Sequence, residues 1–266
     1  MKEIIPMKII DFHAHPYLTA NEFFGFYPEE FNPSPEQAKT DLELAGINHI
    51  CGSVIRPCRY KPDDGFAYFK DLNQRALSLK KELGDFYTPG IHVHPDYVRQ
   101  SCEEIALYAG QGVRLVGELV PYMHCWNDYS NQSFSEILDT AESYHMAVNY
   151  HTMLDEQEEM EKMVAAHPNI TFIAAHPGER EYYEHHLERM KKYPNLYLDL
   201  SGTGLFRYGM LAYGVHKIGA ERFLFGTDYP ICNPRMYVQA VLQEKLTDSE
   251  LELIFHKNAE RILGIH

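Results

Sequence analysis

The sequence predicts an α/β fold, a single-domain (β/α)8 TIM barrel occupying residues 1–266. Two observations predict it. Short runs rich in β-branched and aromatic residues alternate with longer amphipathic stretches, and the alternation occurs eight times. The runs are also apolar enough to argue for a parallel sheet covered by helices. An open, doubly wound sheet is the second architecture with this pattern. However, no GxGxxG follows the first strand and no GxxxxGK[ST] occurs, so its nucleotide-binding forms lose support.

Taken in order, the first strand is KIIDF (8–12). The irregular segment 16–33 then falls where a barrel places an active-site loop, although its aromatics could equally plug the barrel mouth. A helix is expected over 34–45. The second unit is HICGSVI (49–55) with a helix over 66–83, and the third is FYTPGIHV (86–93) with a helix over 97–110. The fourth is VRLVGELV (113–120) and a helix over 133–145, where Ser133 to Glu136 has capping-box spacing. MAVNYH (146–151) precedes a helix over 155–167, and ITFIAAH (170–176) precedes one over 180–193. LYLDLSG (196–202) leads to a helix over 205–219. RFLFGTD (222–228) leads to one over 234–263, within which Thr247 to Glu250 repeats the capping-box spacing. Eight units use up the 266 residues, and neither a linker nor a low-complexity tract divides them.

Composition narrows the function. The net charge of −14 repels phosphate backbones and no basic stripe offsets it, so nucleic acid is not an expected partner. No apolar run approaches the ~20 residues of a membrane helix. The N-terminal MKEIIPMKIIDF carries Glu3 and Asp11 and lacks a signal peptide's apolar centre. Five scattered cysteines without a CxxC pair fit a reduced, cytoplasmic protein. Homo-oligomerisation stays open. Fifteen histidines are the one anomaly, and their placement matters more than their number.

His13 and His15 are two residues apart at the end of strand one, so they share a face. Two neutral imidazoles converging there suit a divalent transition metal. Strand five ends in His151, strand six in His176 and strand eight in Asp228. In a barrel these distant positions meet, because every strand's C-terminal end reaches one rim. Glu118, on strand four, could bridge two metals, coordinate one, or pair as a buried acid with Arg114 or Arg56. His92 and His94 repeat the H-x-H spacing on strand three, and His94 is a candidate pocket residue. Asp199 could orient a ligand histidine or cap a loop. The adjacent His185 and His186 lie in a charged helical stretch and read as solvated. At the rim, Arg56 could clamp a carboxylate. Tyr122, with His124 and Trp126, could sandwich a flat ring or seal the loop.

With DFHAHP (11–16), YHT (150–152), AAHPG (174–178), LYLDLSG (196–202), LFGTDYP (224–230) and HKNAERILGI (256–265), the chain resembles the amidohydrolase superfamily along its whole length. The resemblance is to the TIM-barrel metal-dependent branch that also contains the aminocarboxymuconate-semialdehyde-type decarboxylases. It implies that His13, His15 and Asp228 bind the principal metal and that His151 is the strand-five ligand. It also implies that His176 binds a second metal or acts on substrate, and that Asp228 contacts the attacking water. One departure stands out: strand four has Glu118 where two-metal members often carry a carboxylated lysine. The cofactor implied is one or two divalent ions, zinc or alternatively manganese. The reaction expected first is hydrolysis of an amide, lactone or ester of a small molecule, with Asp228 and His176 catalytic. The alternatives are a non-oxidative decarboxylase of an aromatic or unsaturated acid and a non-catalytic metal-binding barrel.

Overall fold

The computed structural model describes residues 7–265 except 154, 156 and 206. Residues 1–6 of the N-terminal segment, and positions 156 and 206 of the expected helices 155–167 and 205–219, therefore lie outside the described residues. Eight parallel strands follow one another in sequence order: β1 (Ile10–Asp11), β2 (His49–Gly52), β3 (Tyr87–Ile91), β4 (Leu115–Leu119), β5 (Ala147–His151), β6 (Phe172–Ala175), β7 (Leu196–Asp199) and β8 (Phe223–Leu224). The two edges of this sheet are tied together beyond the short end strands. Phe12 N donates to Phe225 O (2.8 Å), Asp228 N to His13 O (2.8 Å) and His15 N to Tyr229 O (2.7 Å). The architecture is the (β/α)8 barrel that the alternation predicts.

Side chains alternate across each strand, and the alternation builds two apolar layers. Ile10, Phe12, Cys51, Leu115, Ala147, Ile173 and Leu224 form one cluster, which Ala259 and Leu263 of the C-terminal helix join. Val116, Val148, Phe172 and Ala174 face the other way, into the larger cluster shared with the helices. The helices are α1 (Pro35–Leu44), α2 (Ala67–Leu83), α3 (Val98–Ala109), α4 (Gln132–Ser143), α5 (Gln157–Ala166), α6 (Arg180–Lys192), α7 (Met210–Ile218), α8 (Pro234–Leu242), α9 (Asp248–Glu252) and α10 (Asn258–Leu263).

Among the boundaries that differ from the expectation, two have a clear local cause. The single helix over 234–263 is instead α8, α9 and α10, with a π turn at Leu253–Lys257 joining the last two. The capping box explains the break: Thr247 caps Glu250 N while Glu250 caps Thr247 N, which only a new helix start requires. The cap of α4 is Asn131, whose Oδ1 accepts from Phe134 N at 2.8 Å, and the Ser133–Glu136 spacing lies inside the helix. Asn is as good a cap as Ser, so the earlier residue wins. Segment 16–33 forms two 3-10 turns at the rim; Tyr17 and Phe23 are buried against each other while Phe26, Tyr27 and Phe31 are exposed. All five cysteines are free thiols. Among the described residues no helix is long and apolar enough to cross a membrane.

Candidate metal centre

Six side chains converge at the C-terminal rim. His13 and His15 follow β1, Glu118 lies on β4, His151 ends β5, His176 follows β6 and Asp228 follows β8. His13 Nε2 and His15 Nε2 are 3.2 Å apart. Glu118 Oε2 lies 3.4 Å from each of them, and Asp228 Oδ1 lies 3.4 Å from His15 and 3.7 Å from His13. The other oxygen of Glu118 turns the opposite way. Its Oε1 is 2.9 Å from His151 Nδ1 and 3.2 Å from His176 Nε2, and those two nitrogens are 3.1 Å apart. His13, His15 and Asp228 form one group with metal-ligand spacing, and His13, Glu118 and His176 form another.

The chain holds these groups through their back sides. Asp11 Oδ1 accepts from His13 N (3.1 Å) and Thr227 N (3.0 Å), and Asp11 Oδ2 accepts from Thr227 Oγ1 (2.5 Å). One buried carboxyl thus staples the β1 end to the β8 loop; burial pushes it up to about 7 against those hydrogen bonds. Asp199 Oδ2 accepts from His13 Nδ1 (2.9 Å) and from Asn149 Nδ2 (3.0 Å), the orienting role, while its Oδ1 accepts from Ser201 N (3.1 Å) and caps the loop, so the two expected roles are divided between its two oxygens. His15 Nδ1 donates to Ser53 O at 2.9 Å. Ser201 Oγ donates to Asp199 Oδ1 and accepts from His176 Nδ1 (3.0 Å). Gly202, at φ +62°, gives His176 its room: a Cβ there would lie 2.3 Å from Nδ1. His176 (φ 69°) and Asp228 (φ 65°) are themselves non-glycine residues in the left-handed region, a conformation that concentrates at functional sites.

These contacts fix the chemistry. With Nδ1 of His13, His15 and His176 acting as donors, each Nε2 turns a lone pair inward, towards two buried carboxylates. Lone pairs and anions packed this closely repel unless a cation lies among them, so the donor set fits a divalent metal. Proton affinities agree. Burial works against the charged form of His13, yet the Asp199 and Glu118 carboxylates outweigh it and hold His13 well above the usual imidazole range. His15 reaches about 9 because Asp228 and Glu118 likewise overcome its burial. Burial opposes the charge on Glu118, but the imidazoles, His13 first, keep it well below the usual carboxylate range. The centre attracts positive charge.

The other expected residues sit as follows. Tyr122 is 48% exposed with its ring 5.0 Å from that of His151, at the open side of the centre. Arg56 is paired with Asp71 at 3.2 Å, and Arg114 donates to the Ala109 and Val113 carbonyls, so neither pairs with Glu118. His94 is buried; its Nε2 donates to His124 O and its Nδ1 accepts from Asp96 N. His92, His124 and Trp126 are also buried. His186 is not solvated: it is 2% exposed. The missed signal is the stripe Tyr183, His186, Leu187, Met190, whose i, i+3, i+4, i+7 spacing marks the inner face of α6. Ser201 was missed too, although it stands two residues beyond Asp199 and so shares its face.

The amidohydrolase family profile matches residues 10–265. No curated protein sequence matches the chain. Among solved structures, 5-carboxyvanillate decarboxylase LigW2 from Novosphingobium aromaticivorans, with bound manganese, shares 13% identity at a TM-score of 0.72, covering 97% of this chain and 97% of that one. 2,6-Dihydroxybenzoate decarboxylase from Rhizobium shares 15% identity at 0.74, covering 97% and 99%. A probable 2-pyrone-4,6-dicarboxylic acid hydrolase from Acinetobacter baumannii shares 16% at 0.68, covering 97% and 100%. At these identities the likeness establishes the fold.

Proposed function

The chain belongs to the amidohydrolase family, and from that premise we propose that it is a metal-dependent hydrolase that cleaves an amide, lactone or ester bond of a small molecule. The observation that carries this reading is the position of Glu118. One carboxylate oxygen faces His13 and His15, and the other faces His151 and His176. A carboxylate in that place would suit two ions, zinc or manganese: His13, His15 and Asp228 would hold one, and His151 and His176 the other. Bound there, such ions supply Lewis acidity, making water more acidic and polarising a carbonyl.

The protein's own groups do the rest. Asp228, with Oδ1 turned to His15, receives the proton of the attacking water and returns it to the leaving group. Asp199 and Ser201 keep His13 and His176 in the tautomers that present Nε2 to the centre. Tyr122 packs against the substrate beside His151.

A second reading rests on the relatives. Two of the three structures named above are decarboxylases, so the neighbours support decarboxylation of a carboxylated aromatic better than hydrolysis. In that reaction His176 delivers the proton that replaces the departing carbon dioxide. One assay separates the two. Protein loaded with zinc or manganese is offered lactones, amides and aromatic acids while acid and carbon dioxide are both measured. Acid release without carbon dioxide supports hydrolysis; carbon dioxide from an aromatic acid overturns it in favour of the second reading.

A further inference from the structure

Three successive carbonyls at the end of β2 each receive a side-chain donor. Tyr87 Oη donates to Gly52 O at 2.8 Å, His15 Nδ1 to Ser53 O at 2.9 Å and His92 Nε2 to Val54 O at 2.8 Å. The segment is thus fixed from β3 on one side and from the β1 end on the other. Its middle residue does more. Ser53 is wholly buried, and its Oγ donates to Glu118 O at 3.2 Å, reaching past β3 to β4.

Two local features allow that contact. β4 pairs with β5 at Val116–Val148 and again at Leu119–Tyr150, so Gly117 and Glu118 together stand opposite Asn149 alone. Two residues opposite one make a bulge, which bends a strand out of its ladder and re-aims the side chain it carries. Between the bulge and β2 lies Gly90, where a Cβ would come 2.1 Å from Gly117 O and 3.3 Å from Gly52 C. Only a glycine there lets the β2 end and the bulge approach each other. His15 and Glu118 belong to strands that do not pair with each other, so no ladder sets their separation.

We infer that Ser53 is a positioning residue of the metal centre: its carbonyl holds the His15 ring and its hydroxyl holds the Glu118 main chain, which keeps His15 Nε2 and Glu118 Oε2 3.4 Å apart, within reach of a shared ion. The inference rests on the metal-centre reading above and is indifferent to whether the reaction is hydrolysis or decarboxylation. Ser53 touches neither ion nor substrate. It acts through the two ligands, as the outer partners of metal ligands do. Removing the hydroxyl leaves the His15 contact in place and frees the bulge, so Glu118 is the ligand that shifts.

The test is cobalt(II) titration of the full-length, chelator-treated protein, read by its visible ligand-field absorption and by competition with a chelator. Ser53→Ala should bind cobalt roughly 10–100-fold more weakly than wild type and give an altered absorption band. Should the alanine variant fail to fold, Ser53→Cys, close in volume and only a weak donor, is read in the same way. Asn258→Ala is the control for lost stability alone. Asn258 is equally buried, and its Nδ2 donates to Ala220 O (2.9 Å) and Phe223 O (2.8 Å) at the N-terminal end of β8, far from the rim. It should lower Tm and leave cobalt affinity and spectrum as in wild type. A Ser53 variant that folds with wild-type affinity and spectrum overturns the inference, as does an Asn258→Ala protein that changes both to the same extent. Wild type that takes up no cobalt overturns the metal centre itself, and this inference with it.

Discussion

Glu118→Gln is the most informative single change, because glutamine keeps the volume of the side chain and removes only its charge. In the metal-free protein Glu118 is 3% exposed and faces four imidazoles, of which His13 and His15 have proton affinities raised above the usual imidazole range by the neighbouring carboxylates. Removing one partner from a buried ion pair costs about 3–5 kcal/mol. For a chain of this size each kcal/mol moves Tm by roughly 2–4 °C, so chelator-treated Glu118→Gln should melt roughly 6–20 °C below wild type at pH 7. With metal supplied, elemental analysis after dialysis should fall from two ions per chain to one, the ion at His13, His15 and Asp228 surviving. Activity on a confirmed substrate should drop by on the order of 100-fold, about 2.7 kcal/mol of barrier at 1.36 kcal/mol per decade. Wild type that holds a single ion, with the variant holding the same ion at undiminished activity, would refute the bridging role of Glu118.

Three further outcomes follow from the same geometry. Asp199→Asn replaces the anionic acceptor of His13 Nδ1, and metal affinity measured by chelator competition should fall roughly 10–100-fold; an unchanged affinity would contradict the orienting role. Gly202→Ala puts a Cβ 2.3 Å from His176 Nδ1 at a φ of +62°, so it should cost about 1–3 kcal/mol of stability and displace His176, losing the ion on that side first. His92 is fully buried, and burial holds it down to about 4. Above pH 6.5 it is neutral folded or unfolded. As pH falls from 6.5 towards 4, the unfolded chain takes up a proton that the folded one refuses, so stability is lost over that window. His92→Gln should therefore reduce the difference in unfolding free energy between pH 7 and pH 4.5 by roughly 2–3 kcal/mol in urea titrations. An acid limb as steep as that of wild type would remove His92 as its cause.

Five of the six converging residues, His13, His15, His151, His176 and Asp228, were legible because each stands at or just past the end of an apolar run and parallel strands bring such ends to one level. Glu118 lies inside its run and stayed open between bridging, coordinating and pairing. The H-x-H period of two adds that His13 and His15 share a face. Asp199 was legible only as a choice between two roles, since register across the sheet decides whether its carboxylate meets His13. His186 was misread from its neighbours. The segment EYYEHHLERMKK is so polar that local composition says surface, yet its i, i+3, i+4, i+7 stripe turns His186 and Arg189 inward. The pairing of Arg56 with Asp71 could not be read at all, because both partners depend on how a loop meets α2.

The left-handed residues show why strand boundaries and site boundaries differ. β6 stops at Ala175 and β8 at Leu224, short of the apolar runs that end in His176 and Asp228. An L-residue enters the positive-φ region at a cost of roughly 1–3 kcal/mol, and His176 does so directly after the last residue of β6. The cost is met by neighbours far away in sequence: Asp228 N is held by His13 O, and His176 is seated against Gly202 and Ser201. Each turn takes the next side chain off the pleat and points it across the barrel mouth, towards a strand it could not otherwise face. One of these residues stands on each side of Glu118, with the His13 and His15 group or with His151. Propensity disfavours both conformations locally, so they exist only because the assembled rim imposes them. That is the physical reason a donor set spread over 216 residues can be geometrically tight while the individual strands that carry it remain two to five residues long.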